Sequence, residues 1–264
     1  MPRGVIGGSF GIVGSSTIYQ PPVASSCAAM WWADDLLAIG DGNPVDSWMD
    51  RIGGKTVSST GSNRPLLDID GLSGKPSLTF DGVDDYLEYA GAVSTATAGA
   101  VIAVWLPTVP VPTYKTLWSA ASITANNQWL LGRLGHTVGN QVGIQSRMGS
   151  GVDSVNQVDE TILNTPTTLS TEWESNGTLW SMMINNTLKP ITIRTTGTFQ
   201  NRWFSSLSSQ DSFCIGSDHF RSSNTIYRVA HAQVHLGFIA IYDVPLTSGE
   251  RTELYNWINS TYGV

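Results

Sequence analysis

The chain has 264 residues, a formal net charge of -7, 41% hydrophobic residues and only 13% charged ones. That charged share is about half the usual one, so Ser, Thr, Asn and Gln must cover much of the surface. Scattered Lys and Arg on an acidic chain exclude the basic face that nucleic-acid binding needs, and no apolar run approaches the roughly 20 residues that span a bilayer.

Residues 1 to 28 read as a distinct N-terminal arm: apolar, Gly-rich, free of Asp and Glu, and stiffened near its end by Pro21-Pro22. It opens on Met1-Pro2-Arg3-Gly4 and a Gly-rich segment rather than a continuous apolar core, so no secretory signal is expected. Ile6, Phe10, Ile12, Val13 and Tyr19 gain nothing from water. The arm is therefore expected to dock on another protein, for instance by adding a strand to a sheet edge, rather than to trail as a disordered leader.

Trp31, Trp32 and Trp48 follow, separated by a loop at Asp41-Gly42-Asn43-Pro44. The stretch from Gly74 to Tyr89 predicts a β-hairpin: Leu78 and Phe80 alternate with Ser77 and Thr79, and Asp81-Gly82 is a hairpin-turn dipeptide. Asp81, Asp84 and Asp85 stand at its tip. Gly99 to Leu106 is a continuous apolar run of strand length, as suits a strand buried on both faces. Further strands are predicted at Thr116 to Ser119, Gln128 to Arg133, Val142 to Ser146 and Thr167 to Trp173. The turns Asn176-Gly177 and Asn185-Asn186 bracket another at Leu179 to Ile184. Tyr227 to His235 alternates like a single strand. Phe213 to Gly216 and Gly237 to Tyr242 complete the set, and one helix follows, with Thr247 and Glu250 as its capping box and Leu254, Trp257 and Ile258 as its apolar stripe. Many short strands with polar turns between them describe an antiparallel sandwich.

Several of these residues carry a resemblance. Trp31 or Trp32 with Ala33-Asp34-Asp35-Leu36, then Asp41-Gly42, Val45, Trp48, Asp50 and Gly53, open the pattern. Arg64-Pro65, Leu72, Gly74-Lys75-Pro76 and Phe80-Asp81-Gly82-x-Asp84-Asp85-Tyr86-Leu87 continue it, and Ile241-Tyr242-Asp243, Leu246-Thr247, Glu250-Arg251, Leu254 and Tyr262-Gly263 close it. Residues 29 to 264 thus resemble the concanavalin A-like, laminin-G-like jelly-roll domains found in phage virion and bacterial surface proteins. The resemblance implies an all-β fold: a jelly-roll sandwich of two antiparallel sheets, with the arm before it and one C-terminal helix. It places Trp48 and one of Trp31 and Trp32 in the core. It specifies an activity poorly.

Candidate chemistry is sparse. Asp81, Asp84 and Asp85 are the densest carboxylate group and a candidate calcium loop, with turn capping as the alternative. Glu172-Trp173-Glu174 puts two carboxylates on one strand face but lacks the third acid of the retaining glycosidases that share this fold, and reads as a solvated strand end. His231 and His235 are spaced for a shared metal only on a helix; on a strand the same spacing parts them by roughly 13 Å. Cys27 and Cys214 read as two buried thiols. Trp129, Trp173, Trp180 and Trp203 are candidate glycan platforms. The leading expectation is a non-enzymatic virion structural protein with no catalytic residues and no required cofactor. It would be held by its arm to capsid or tail proteins, as a homo-oligomer, with a trimer as the guess, and would touch host glycans. The alternatives are a carbohydrate-binding lectin module and a degenerate glycoside hydrolase.

Overall fold

The computed structural model describes residues 20–22, 24–107, 114–134, 141–148, 154–159, 167–193 and 202–264, with backbone alone given for 141, 154–159 and 193. The residues proposed for docking in the arm, Ile6, Phe10, Ile12, Val13 and Tyr19, lie outside the described residues. In chain order the strands are β1 (Cys27–Trp32), β2 (Ser47–Met49), β3 (Thr56–Ser58), β4 (Leu66–Leu72), β5 (Lys75–Asp81), β6 (Leu87–Tyr89) and β7 (Gly99–Pro107). They continue with β8 (Lys115–Ala121), β9 (Gln128–Leu134), β10 (Gln141–Met148), β11 (Ser154–Asp159), β12 (Leu169–Ser175), β13 (Trp180–Ile184), β14 (Thr187–Leu188) and β15 (Thr192–Ile193). The last are β16 (Ser212–Ile215), β17 (Asp218–Ser222), β18 (Thr225–Val229) and β19 (Gln233–Tyr242), before helix α1 (Ser248–Tyr262).

Two large antiparallel sheets form a sandwich. One runs β14-β13-β12-β7-β19-β5-β4, with β1 also on β19; the other runs β15-β11-β10-β9-β8-β16-β6-β3-β2. β19 is the spine of the first sheet. One side of it pairs with β7 throughout, while the other pairs with β5 at Gln233 to Leu236 and with β1 from Phe238 to Tyr242. The change of partner falls at Gly237, where the register with β7 also shifts. A Cβ at Gly237 would meet the Tyr262 ring at 3.0 Å, so a glycine lets the helix end lie on the strand.

The inner faces bury Trp31, Trp48, Phe80, Val101, Trp118, Phe213 and Ile239, among others. The first sheet also has an outer core. Trp32, Ile102, Val104 and Phe238 point away from the sandwich centre onto Leu254, Trp257 and Ile258 of α1. This explains the unbroken apolar run of β7, which lies between β12 and β19 and is buried on both faces. Adjacent residues of β1 serve the two cores: Trp31 stacks on Phe213 at 5.7 Å, and Trp32 meets Trp257 edge-on at 5.7 Å. The helix has the predicted cap, with Thr247 Oγ1 accepting from the Glu250 amide and Glu250 accepting from the Thr247 amide.

Four expectations are corrected. β5 and β6 are not a hairpin: β5 pairs β4 and β19, and β6 pairs β16 and β3 across the sandwich, so the Asp81 to Tyr86 turn is a crossover between sheets. Alternation is the same on both sides of such a turn, so the pattern alone does not name the partner. Tyr227 to His235 is split by Ala230, at φ +57°, into β18 and β19. The arm boundary at residue 28 falls inside β1. Finally, Glu172 is no solvated strand end, as it is fully buried under α1, with Arg251 bonding it at 2.8 Å and the Tyr255 hydroxyl donating to it at 3.2 Å.

Candidate functional site

The outer face of the second sheet carries a different chemistry from that of the first. Along β9, Leu130 and Leu134 point into the sandwich, so Trp129, Leu131 and Arg133 point out. On β10, Gln145 and Arg147 lie opposite Leu131 and Trp129. Gly132 lets Trp118 cross the inner side, because a Cβ there would sit 2.0 Å from the indole nitrogen.

The β17–β18 ribbon lies over this face. Phe220 packs on Trp129 with ring centroids 4.5 Å apart, and Tyr227 stacks on Phe220 at 5.4 Å. The ribbon is pinned along its length. Its tip residue Asn224 exchanges two hydrogen bonds of 3.0 Å with Asn126, while the Asn127 amide donates to the Arg221 carbonyl at 2.7 Å. At the other end, the His219 amide donates to Ser119 Oγ at 3.2 Å. On the flank, Arg228 pairs with Glu88 and lies over the Tyr86 ring at 3.8 Å.

Between ribbon and sheet runs a groove of about 470 Å³, with Tyr114 and Val229 exposed among its lining residues. Trp129, Phe220, Arg133, Gln145 and Asp218 also line it, with Ala230 beside Val229. Arg133 Nε donates to Gln145 Oε1 at 2.8 Å, and Nη1 donates to Thr116 Oγ1 at 2.8 Å and pairs with Asp218 Oδ2 at 3.1 Å. Asp218 is 2% exposed, and burial raises its carboxyl pKa while Arg133 opposes the rise. Its other oxygen, Oδ1, is buried and has no hydrogen-bond partner among the described residues, and the same holds for Trp129 Nε1.

Of the four candidate platform tryptophans, only Trp129 is at this groove. Trp173, Trp180 and Trp203 are inner-core residues: Trp173 donates to the Gly143 carbonyl at 2.8 Å, Trp180 donates to the Arg202 carbonyl at 2.7 Å, and Trp203 packs on Phe204. A sugar platform needs a free indole face, which these three lack. Trp129 is 5% exposed, with Phe220 and Arg147 already on its ring. It shapes the groove rather than offering an open shelf. Arg133, Gln145, Asp218 and Tyr114 were not singled out from the sequence. They come from β9, β10, β17 and the residue just before β8, and only the crossing of the ribbon brings them together.

Asp81, Asp84 and Asp85 do meet, with carboxylate oxygens within 4.8 Å of one another. Their bonding is that of a capped turn. Asp81 Oδ1 accepts from the amides of Val83 at 2.7 Å and Asp84 at 3.3 Å, and Asp85 Oδ2 accepts from the Asp81 amide at 2.8 Å. The Lys115 ammonium, bonded to the Gly82 carbonyl at 2.9 Å, adds a resident positive charge. Three carboxylates so engaged fall short of the about six to eight oxygens that calcium takes. Burial, then the neighbouring acids, raises the Asp85 carboxyl to about 6. Ser212, His219 and Glu88 also gather, but the serine and the glutamate both meet His219 Nδ1, at 2.8 Å each. A nucleophile relay needs them on opposite ring nitrogens. His231 and His235 belong to separate segments, and His235 Nδ1 is instead 3.0 Å from Thr79 Oγ1. Cys27 and Cys214 are both free and buried.

No family model and no curated protein matches the chain. Solved structures do. Domain 4 of AbnA, a GH43 extracellular arabinanase from Geobacillus stearothermophilus solved in complex with arabinotriose, superposes with a TM-score of 0.57 at 14% identity, covering 87% of this chain and 98% of that one. The fold is shared. A Ruminococcus gnavus IT-sialidase CBM40 covers 61% of this chain and 82% of its own at 11% identity and a TM-score of 0.47. A leech intramolecular trans-sialidase gives the same TM-score at 14% identity, with 62% of this chain matching 23% of that one. Among the described residues no helix is long and apolar enough to cross a membrane.

Proposed function

We propose that this chain is a non-catalytic carbohydrate-binding domain that seats a short glycan in the groove between the β8–β10 face and the β17–β18 ribbon. The observation that carries the reading is the groove itself. Aromatic rings line it, and a buried Arg133–Gln145–Asp218 network forms part of it. Sugars offer this mixture its complement, apolar C–H faces with hydroxyls that both donate and accept. The AbnA domain that shares the fold was solved with arabinotriose, which supports the reading without deciding the sugar. A glycan array followed by calorimetric titration tests it. Wild type is expected to bind, and Tyr114→Ala and Arg133→Lys to weaken binding by tenfold or more, Tyr114→Ala with an unchanged melting temperature and Arg133→Lys with a lowered one, since a lysine cannot keep the three bonds of the buried guanidinium. Binding untouched by both variants would remove the groove from the account.

The virion setting is a wider proposal, resting on the sequence resemblance and the composition of the arm. On this proposal residues 1 to 19 attach the domain to capsid or tail proteins, and the groove faces host glycans. It is tested by mixing full-length and arm-deleted protein with the remaining virion components. If the deleted form is still incorporated, the arm is not the attachment element.

A further inference from the structure

The β17–β18 ribbon stands edge-on to the second sheet. Phe220 and Tyr227 lie on one of its faces with Trp129 of β9, while His219 and Arg228 lie on the other with Glu88 of β6, so the ribbon rises between those two strands. β17 is its foot. The His219 amide donates to Ser119 and the Arg221 carbonyl accepts from the Asn127 amide, so these two residues turn their backbone toward the sandwich. Strand alternation then gives the bonds between β17 and β18 to Thr225, Tyr227 and Val229, opposite Ser222, Phe220 and Asp218. The amides and carbonyls of Ile226 and Arg228 face outward, where they meet no partner among the described residues. β18 is an open crest.

Open strand edges are normally guarded by charge, irregularity or shortness. Among the described residues, β2, β14 and β15 have only two or three residues each, and the β4 edge carries Asp68, Asp70 and a shift of register. β18 has five residues, none of them Pro, Gly or Lys, and exposes Ile226, Tyr227 and Val229. Its one charge, Arg228, is turned onto Glu88 and Tyr86. We infer that β18 pairs antiparallel with β18 of a second copy, about a two-fold axis at Tyr227, and so joins two ribbons into one four-stranded sheet. The edge complements itself in one register. Outward residues must oppose outward residues, and centring on Tyr227 sets Ile226 against Arg228 of the second copy twice, each pair exchanging two hydrogen bonds. Centring on Ile226 would set Arg228 against the turn residue Asn224, at φ +63°. Centring on Arg228 would oppose two guanidinium groups and set Ile226 against Ala230, at φ +57°. Because the axis stands perpendicular to the shared ribbon, both grooves open on the same side of the dimer. The pairing stands whatever those grooves bind.

Analytical ultracentrifugation of the full chain tests this over concentrations rising to about 1 mM, because two such short strands bury less than the about 1,200 Å² of stable interfaces and make a weak dimer. The molar mass of wild type is expected to rise from 28.4 kDa toward twice that value. Ile226→Pro removes only an outward amide, the one place a strand tolerates proline, and is expected to stay monomeric. Should that variant melt early, Ile226→Lys and Ile226→Glu read the register at an exposed position. Both lose the same apolar side chain and both face Arg228 of the second copy. The lysine is expected to weaken the dimer roughly tenfold, and the glutamate to leave it within about threefold of wild type. A wild type that is monomeric at every concentration overturns the inference, as does an association that Ile226→Pro leaves untouched. Equal weakening by the lysine and the glutamate would overturn the Tyr227-centred register.

Discussion

Asp85 and Ala230 each hold a conformation or charge state that its own chemistry resists, which makes both measurable. The Asp85 carboxyl rises from 3.8 to about 6 in the folded protein, chiefly through burial and then through Asp81 and Asp84. A group with a raised folded pKa stabilises the fold most below its unfolded pKa, and that contribution is lost as pH climbs through the folded value. Wild type is therefore expected to lose stability between about pH 4 and pH 6, on the order of 1 kcal/mol once solvent at the turn screens the effect. Asp85→Asn keeps an acceptor for the Asp81 amide, so its melting temperature is expected to vary less over that window and to exceed wild type at pH 7. A variant that tracks wild type across the window would show that Asp85 ionises normally. Ala230 sits at φ +57° beside the groove, with its carbonyl accepting from the Thr116 amide at 2.9 Å. Left-handed backbone costs an alanine about 1 kcal/mol, so Ala230→Gly is expected to stabilise the fold by up to that amount in chemical denaturation. Equal or lower stability would mean the gain is offset by glycine's freedom in the unfolded chain.

Helix α1 shows what pattern reading can reach and where it stops. Its cap and its stripe of Leu254, Trp257 and Ile258 are local, with spacings set by one helix turn, and all were legible in the sequence. So were the doubly buried β7 and the hairpin of β12 and β13, whose turn is short enough to fix its own register. The clamp beneath the helix was not legible. Arg251 bonds Glu172 and Glu174 from far along the chain, and two acids on a strand look the same whether solvent or a helix covers them. The groove failed for the same reason: Arg133 and Asp218 become neighbours only because β17 crosses the outer face of β9. Because Glu172 is wholly buried, removing its partner leaves an uncompensated charge. Arg251→Met is expected to cost about 3–5 kcal/mol by urea unfolding, whereas Thr247→Ala, which loses only an exposed cap, should cost about 1 kcal/mol. Similar losses in the two variants would show that the ion pair under the helix contributes little.

The arm and the sandwich meet at β1, and that junction decides what a truncation measures. The Asp243 amide donates to the Ser26 carbonyl at 2.8 Å, Cys27 opens a strand paired along β19, and the Lys55 ammonium donates to the Ala28 carbonyl at 2.8 Å. Residues 24 to 28 are thus part of the domain, and they add apolar contacts to the outer core through Ala24 and Cys27. A deletion through residue 28 is expected to lower the melting temperature, because it strips hydrogen bonds and packing from the spine strand of the first sheet. Deletion of residues 1 to 19 keeps every one of those contacts. Its melting temperature and glycan affinity are expected to match the full chain, so any change in molar mass by light scattering at matched concentration belongs to the arm alone. If the full chain associates and the shorter deletion is monomeric, the arm carries self-assembly. If both are monomers, self-assembly through the arm is excluded, and the attachment proposed for it must involve a different protein. If the shorter deletion melts early, residues 1 to 19 contribute to the stability of the sandwich as well.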